Sequence, residues 1–127
     1  MPDKEIFEYA IIRYLPKVER GEFLNVGVIV MCKRQQYLKM KYQIDEQRLK
    51  AFSSEVDIDL ITEYLNGWNL VCAGGEKGGQ IGELEAHLRF RWLTASRSTI
   101  IQTSEVHPGL CFEPEKTLED IFQKYVL

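Results

Sequence analysis

Residues 6–15 read IFEYAIIRYL and are apolar on both alternating sets of positions, Phe7, Tyr9 and Ile11 against Ile6, Ala10 and Ile12. That pattern predicts a central strand covered on both faces. Pro16 ends it, and the polar loop KVERGE follows. FLNVGVIVMC (23–32) predicts a second strand. Leu24, Val26, Val28, Val30 and Cys32 form its apolar face, and Asn25 and Gly27 lie on the other. The glycine there either admits a close neighbour or marks a bulge. After the short KRQQ connection, YLKMKYQI alternates, with Leu38, Met40 and Tyr42 inward and Lys39 and Lys41 outward.

From Asp45 the period lengthens from 2 to 3.6. DEQRLKAF predicts a short helix capped by Asp45 and presenting Leu49 and Phe52. DIDLITEYLNGWNLVCA predicts the main helix, capped by Asp57 or Ser54. Its apolar stripe runs through Ile58, Ile61, Leu65, Trp68 and Cys72, widened by Leu60, Tyr64 and Val71. Gly67 inside it implies close packing or a break, and Gly74 and Gly75 stop it. GGEKGGQIGE (74–83) reads as a mobile connector. It matches no phosphate-loop pattern and follows a helix where such a loop follows a strand.

Two further strands are expected near 88–94 and 99–105, then a loop through VHPGLCFEPEK. The last helix, TLEDIFQKYVL, is expected to be capped by Thr117, with Asp120 three positions on and Leu118, Ile121, Phe122 and Tyr125 docking on the sheet. Short connections between consecutive strands predict antiparallel pairing. The fold class is therefore α+β, a mostly antiparallel sheet of about five strands with two to three helices on one face.

The length, 127 residues, fits one domain with a core of its own. A net charge of −3 argues against generic nucleic-acid binding, which needs a basic footprint. Cys32, Cys72 and Cys111 are odd in number and unpaired by motif, and two lie among apolar neighbours, as buried thiols in a reducing compartment do. The two histidines are isolated from each other and from the cysteines, so no zinc spacing exists, and no cofactor motif appears. MPDKEIFEYA is charged from the start, unlike a signal peptide, and the apolar run at VGVIVMC is too short to cross a bilayer. The expected setting is cytoplasmic.

The candidate chemistry falls in two clusters and one histidine. Arg89, Arg91 and Arg97, with His87, occupy a window (86–104) without an acidic residue. On a strand, Arg89 and Arg91 point away from Leu88, Phe90 and Trp92, and Arg97 with Ser96 and Ser98 falls at a hairpin end. Guanidinium forks with flanking hydroxyls suit a phosphate or carboxylate; a solvated sheet face or internal ion pairing is the alternative. RYLPKVERGEFLNVG is the second cluster. Arg13 interrupts an apolar strand, Glu22 follows Arg20 in the loop, and Asn25 shares a face with Arg13 if the first two strands are neighbours. A structural network, from Arg13 to Glu22 or to a loop carbonyl, is the alternative. His107 sits in a polar loop setting that suits an acid or base, or a surface residue. Lys33, Arg34, Lys39 and Lys41 form a basic ribbon that reads as edge protection or as a nucleic-acid contact.

YAIIRYLPKVERGEFLNVGVIV and RFRWLTASRSTIIQTSEVHPGL together resemble a bacterial family known as domain of unknown function 3037, over nearly the whole chain. The resemblance marks Arg13, Tyr14, Pro16, Glu22, Asn25, Gly27 and Val28, then Arg91, Leu93, Thr94, Arg97, Ser98, Gln102 and His107. Ser96, where the family pattern has proline, and Pro108, where it has a small polar residue, depart from it. It implies a small bacterial cytoplasmic protein often encoded beside a HipA-like kinase, and it brings no established activity. Beside a plain structural subunit whose polar motifs only knit strands together, two functional readings follow. One is an accessory protein that binds an anionic, phosphate-bearing ligand or a HipA-like kinase partner through Arg13, Glu22, Asn25, Arg91, Thr94, Arg97, Ser98 and Gln102. The other is a phosphoesterase or nuclease-type hydrolase, with His107 as acid or base and Arg13, Arg91 and Arg97 holding the transition-state charge.

Overall fold

In the computed structural model, which describes residues 4–127, strand β1 (Glu5–Tyr14) is the axis of the sheet. Met1–Asp3, the start of the charged stretch, lie outside the described residues. One edge of β1 pairs antiparallel with β2 (Leu24–Cys32), which pairs in turn with β3 (Tyr37–Tyr42). The other edge is shared end to end by β4 (Ile101–Thr103), along Ile12 to Tyr14, and β5 (His107–Cys111), along Glu5 to Tyr9. Every pairing is antiparallel, so the sheet carries no mixed element. Cover on both faces of the sheet explains why β1 is apolar at both alternating sets: Ile12 and Tyr14 are buried on one side, Phe7 and Ile11 on the other.

Helices cover both faces, not one. On one side lie α1 (Glu46–Phe52), α2 (Ile58–Ala73) and α4 (Ala86–Thr94), packed on Ile12, Tyr14, Ile29, Met31, Leu38 and Met40. On the other lies α5 (Pro114–Tyr125), with Leu118, Phe122 and Val126 against Phe7, Ile11, Val28, Val30 and Cys32. The expected single apolar face of β2 is split. A register shift opposite Ile12 and Arg13 turns Leu24 and Val26 toward the α2 side, while Val28, Val30 and Cys32 face α5. Gly27 sits beside this bulge with the Lys41 carbonyl so close that a Cβ would come within 2.7 Å of it.

The caps of α1 and α2 are as expected: Asp45 accepts from the Arg48 N–H at 3.1 Å and Asp57 from the Leu60 N–H at 3.0 Å. Leu49 is buried whereas Phe52 stays exposed. Gly67 neither packs closely nor breaks α2; the space around it is open.

Further expectations are corrected. Residues 88–94 form helix, not strand: Phe90 and Leu93 are both 0% exposed, while Leu88 and Trp92 remain 43% and 39% exposed. Ala86, Phe90 and Leu93 follow the helical spacing, and the Leu88–Phe90–Trp92 alternation is coincidental over so short a window. The strand expected at 99–105 shortens to β4, and His107–Cys111, expected as loop, is β5. The glycine run is no open connector: a 3-10 turn at Glu76–Gly78 and the one-turn α3 (Gly79–Gly82) are closed by the Gly75 N–H donating to the Gly82 carbonyl at 2.7 Å. Finally, α5 begins at Pro114, with Glu113 in the cap position. Thr117 therefore lies inside the helix, its hydroxyl donating back to the Glu113 carbonyl at 3.1 Å. Proline at the first helical position loses no helical hydrogen bond.

Candidate functional site

Strand pairing sets Arg13 directly between Asn25 on β2 and Gln102 on β4. The bulge in β2 decides which way this row faces. It carries Asn25 to the α5 side, where its Nδ2 donates to the Tyr125 carbonyl at the end of α5, 3.1 Å away. The Arg13 guanidinium lies 4.0 Å over the Phe23 ring. Gln102 is fixed by Nε2 donating to the Thr99 carbonyl at 2.8 Å. Two atoms in this row are buried without a partner, Arg13 Nε and Asn25 Oδ1. None of the ion pairs among the described residues includes Arg13. A buried donor left unpaired costs about 1–3 kcal/mol, and stacking a cation on an exposed aromatic returns only about 0.5–1 kcal/mol. The row is thus a half-buried cationic shelf with hydrogen-bonding capacity to spare.

His107 opens β5 and pairs across to Tyr9, their rings 5.4 Å apart; Tyr9 in turn stacks on Phe7 at 5.8 Å. Burial, and Tyr125 beside it, hold the Tyr9 phenol above its usual range. His107 is exposed, and among the described residues its ring has no hydrogen-bond partner. Tyr9 and Arg13 are four positions apart on β1, about 13 Å along the strand. His107 therefore shares the face of Arg13 but not its immediate row. Ser104, buried between them, is structural: its Oγ accepts from the Ile11 N–H and donates to the Glu105 carbonyl, both at 2.9 Å.

Arg97 and Thr94 lie on the opposite side of the sheet. Arg97 closes the C-terminal end of α4, donating to the carbonyls of Trp92 at 2.5 Å and Leu93 at 3.3 Å. Its guanidinium sits between the rings of Trp68 and Trp92, 5.0 and 4.9 Å from their centroids. Burial lowers its pKa, with Tyr64 opposing. The Thr94 hydroxyl donates back to the Phe90 carbonyl at 2.9 Å. Arg91 is exposed on α4, 3.5 Å from Glu8, and Ser98 is exposed beyond the helix end. Glu22 pairs with Arg20 at 2.5 Å, not with Arg13, and lines a cleft of about 280 Å³ with Pro16, Lys17 and Ser53. The structure thus brings Arg13, Asn25 and Gln102 together, leaves His107 farther along the same face, and separates Arg91, Thr94, Arg97, Ser98 and Glu22 from them.

Sequence reasoning passed over Phe23 and the Tyr125 carbonyl as parts of the shelf. Phe23 carried a signal, an aromatic at the mouth of the strand that holds Asn25; the carbonyl carried none. Of the basic ribbon, Lys39 and Lys41 meet Glu115 and Glu119 on α5, and the Tyr37 hydroxyl donates to Glu115 at 2.8 Å. All three cysteines are buried and free, and burial raises the Cys72 thiol to about 12. Among the described residues, no group of three or more His, Cys, Asp or Glu side chains could hold a metal ion, and no helix is long and apolar enough to cross a membrane.

No curated protein and no solved structure matches the chain. A family model described as a protein of unknown function (DUF3037) matches residues 9–126, from the middle of β1 past the end of α5, the shelf and His107 included. The chain belongs to that family.

Proposed function

We propose that the protein is a non-catalytic binding module whose Arg13 shelf receives an anionic, phosphate-bearing group displayed by a partner. The observation that carries this reading is the Arg13 guanidinium, stacked on Phe23 with Nε buried and no protein acceptor. Evolution of a stable sheet alone favours an apolar residue or an internal ion pair at such a position. An incoming phosphate can accept from the terminal nitrogens of the guanidinium, and its charge suits a planar, bidentate fork. Asn25 and Gln102 hold the flanks of the row, and the open setting suits a group on a protein surface. The HipA-like kinase that the family resemblance implies as a neighbour is one such partner.

The hydrolase reading draws less support. His107 has no orienting carboxylate among the described residues, and Arg91 and Arg97 face the other side of the sheet. The proposal is tested by amide-shift titration with a short phosphoserine peptide and its unphosphorylated twin. The phosphopeptide is expected to move the amides of Asn25 and Gln102 saturably, and Arg13→Gln to remove the response. Equal response to both peptides, or an unchanged response in Arg13→Gln, overturns it.

A further inference from the structure

Arg89 repeats the anomaly of Arg13 on the other side of the molecule. Its Nε is buried without a partner, and none of the ion pairs among the described residues includes it. The backbone has been shaped to admit it. Gly74, at φ +81°, stops α2, and a Cβ at that position would fall 2.2 Å from Arg89 Nη1. A glycine in the left-handed region at this point both ends the helix and leaves room for a guanidinium. The glycine run is therefore a seat for an arginine rather than a loop that itself cradles phosphate.

The seat opens on a cleft of about 350 Å³ between the β2–β3 turn and the start of α4. Lys33 and Gln36 line one wall, and Leu84, Glu85, His87 and Arg89 the other. Gln36 holds the turn in the left-handed conformation, at φ 52°. The one carboxylate, Glu85, is largely exposed, 3.4 Å from His87 Nδ1. Lys33 and Arg89 thus line one cleft with a single carboxylate, Glu85, in a chain whose net charge is −3. A volume of this size lies at the lower end of the roughly 300–1,000 Å³ typical of small-molecule sites.

We infer that this cleft binds a small phosphate monoester, with the Arg89 guanidinium and Lys33 ammonium on the phosphoryl oxygens and Leu84 against the carbon skeleton. Arg89 supplies a planar donor fork and Lys33 a mobile point charge, the division of labour that phosphate recognition favours. The site is independent of the Arg13 shelf: it lies on the other face of the sheet.

Amide-shift titrations with inorganic phosphate, glycerol 3-phosphate and adenosine monophosphate test it, carried to tens of millimolar. The amides of Lys33 to Gln36 and of Glu85 to Arg89 are expected to move saturably, with an ester binding more tightly than inorganic phosphate because Leu84 contributes. Arg89→Gln is expected to weaken binding about tenfold or more. Lys33→Gln, at an exposed position where folding is not in question, is expected to weaken it severalfold. Arg13→Gln leaves this response intact, so failure here and failure of the shelf proposal are read separately. The inference is overturned if none of the three probes saturates, if the shifts fall outside these two segments, or if Lys33→Gln titrates like the wild type.

Discussion

Replacing Arg97 by alanine separates a residue that clamps the fold from one held ready for a ligand. The side chain makes two charge-assisted hydrogen bonds to the last carbonyls of α4 and lies against two indole rings. A hydrogen bond to a charged group contributes about 1.5–3 kcal/mol and a cation–π contact at a partly exposed site about 0.5–1 kcal/mol. One of the two hydrogen bonds is long, at 3.3 Å, and the guanidinium is part-solvated, so the terms do not add in full. The expected loss is about 2–3 kcal/mol, which for a chain of this size lowers Tm by roughly 8–12 °C. Arg97→Lys keeps the charge without the fork and should lose about half as much. Urea denaturation followed by tryptophan emission is the natural assay, since the chain has two tryptophans and both touch this guanidinium. The folded-state emission of Arg97→Ala should shift as well. If the variant stays within about 0.5 kcal/mol of wild type, the range of an inconsequential surface change, and its emission is unaltered, the clamp is refuted. Arg97 then returns as a ligand candidate.

The helical reading of residues 86–94 is checked by two truncations: Phe90→Ala should cost about 3–5 kcal/mol and Leu88→Ala less than about 1 kcal/mol, whereas a strand that buried both would show comparable losses in chemical denaturation. Hydrogen bonds from Tyr37 and Lys39 depress the Glu115 pKa below its usual value of 4.5. A depressed folded-state value means stability that is present above the usual carboxylate range and lost as pH falls through the folded value. Glu115→Gln should therefore flatten the acid limb of a Tm–pH profile, modestly because the group is exposed, and a profile that superimposes on the wild type counts against the pairing.

Strands β1 to β3 and helices α1 and α2 were legible because their periods run long enough to exclude the alternative. The main helix carries its stripe through 16 residues with Asp57 at its cap, and no period-2 pattern survives that length. The nine residues of α4 are few enough that both periods fit. The deciding fact, that Phe90 and Leu93 are buried while Leu88 and Trp92 are not, belongs to tertiary packing. Strand β5 was hidden by Pro108 and Gly109, which argue against a strand. At a sheet edge the proline loses nothing, and the glycine is required there because the Phe7 ring lies where a Cβ would come within 2.5 Å. The same logic divides the candidate sites. The meeting of Arg13 and Asn25 follows from pairing two neighbouring strands, and pairing with β4 adds Gln102. That Arg97 stands apart, and that Arg89 opens a cleft with Lys33, depends on the helical turn of α4 and on Gly74, neither of which local patterning reveals.

The end-to-end sharing of one edge of β1 by β4 and β5 bears on how the molecule folds. β1 and β2 form a local hairpin, yet the other edge of β1 closes only through contacts such as Ile11 to Ser104, 93 positions apart, and Asn25 reaches α5 across 100. Closing such distances before any contact stabilises them slows folding. An early species in which β1 to β3 have paired would leave one edge of the central strand bare, an aggregation template until β4 and β5 arrive. The shelf would be assembled last, because Gln102 and the Tyr125 carbonyl both come from the late-closing half. Binding there would then report on completion of the fold, and a partner that recognised the shelf would recognise only finished molecules.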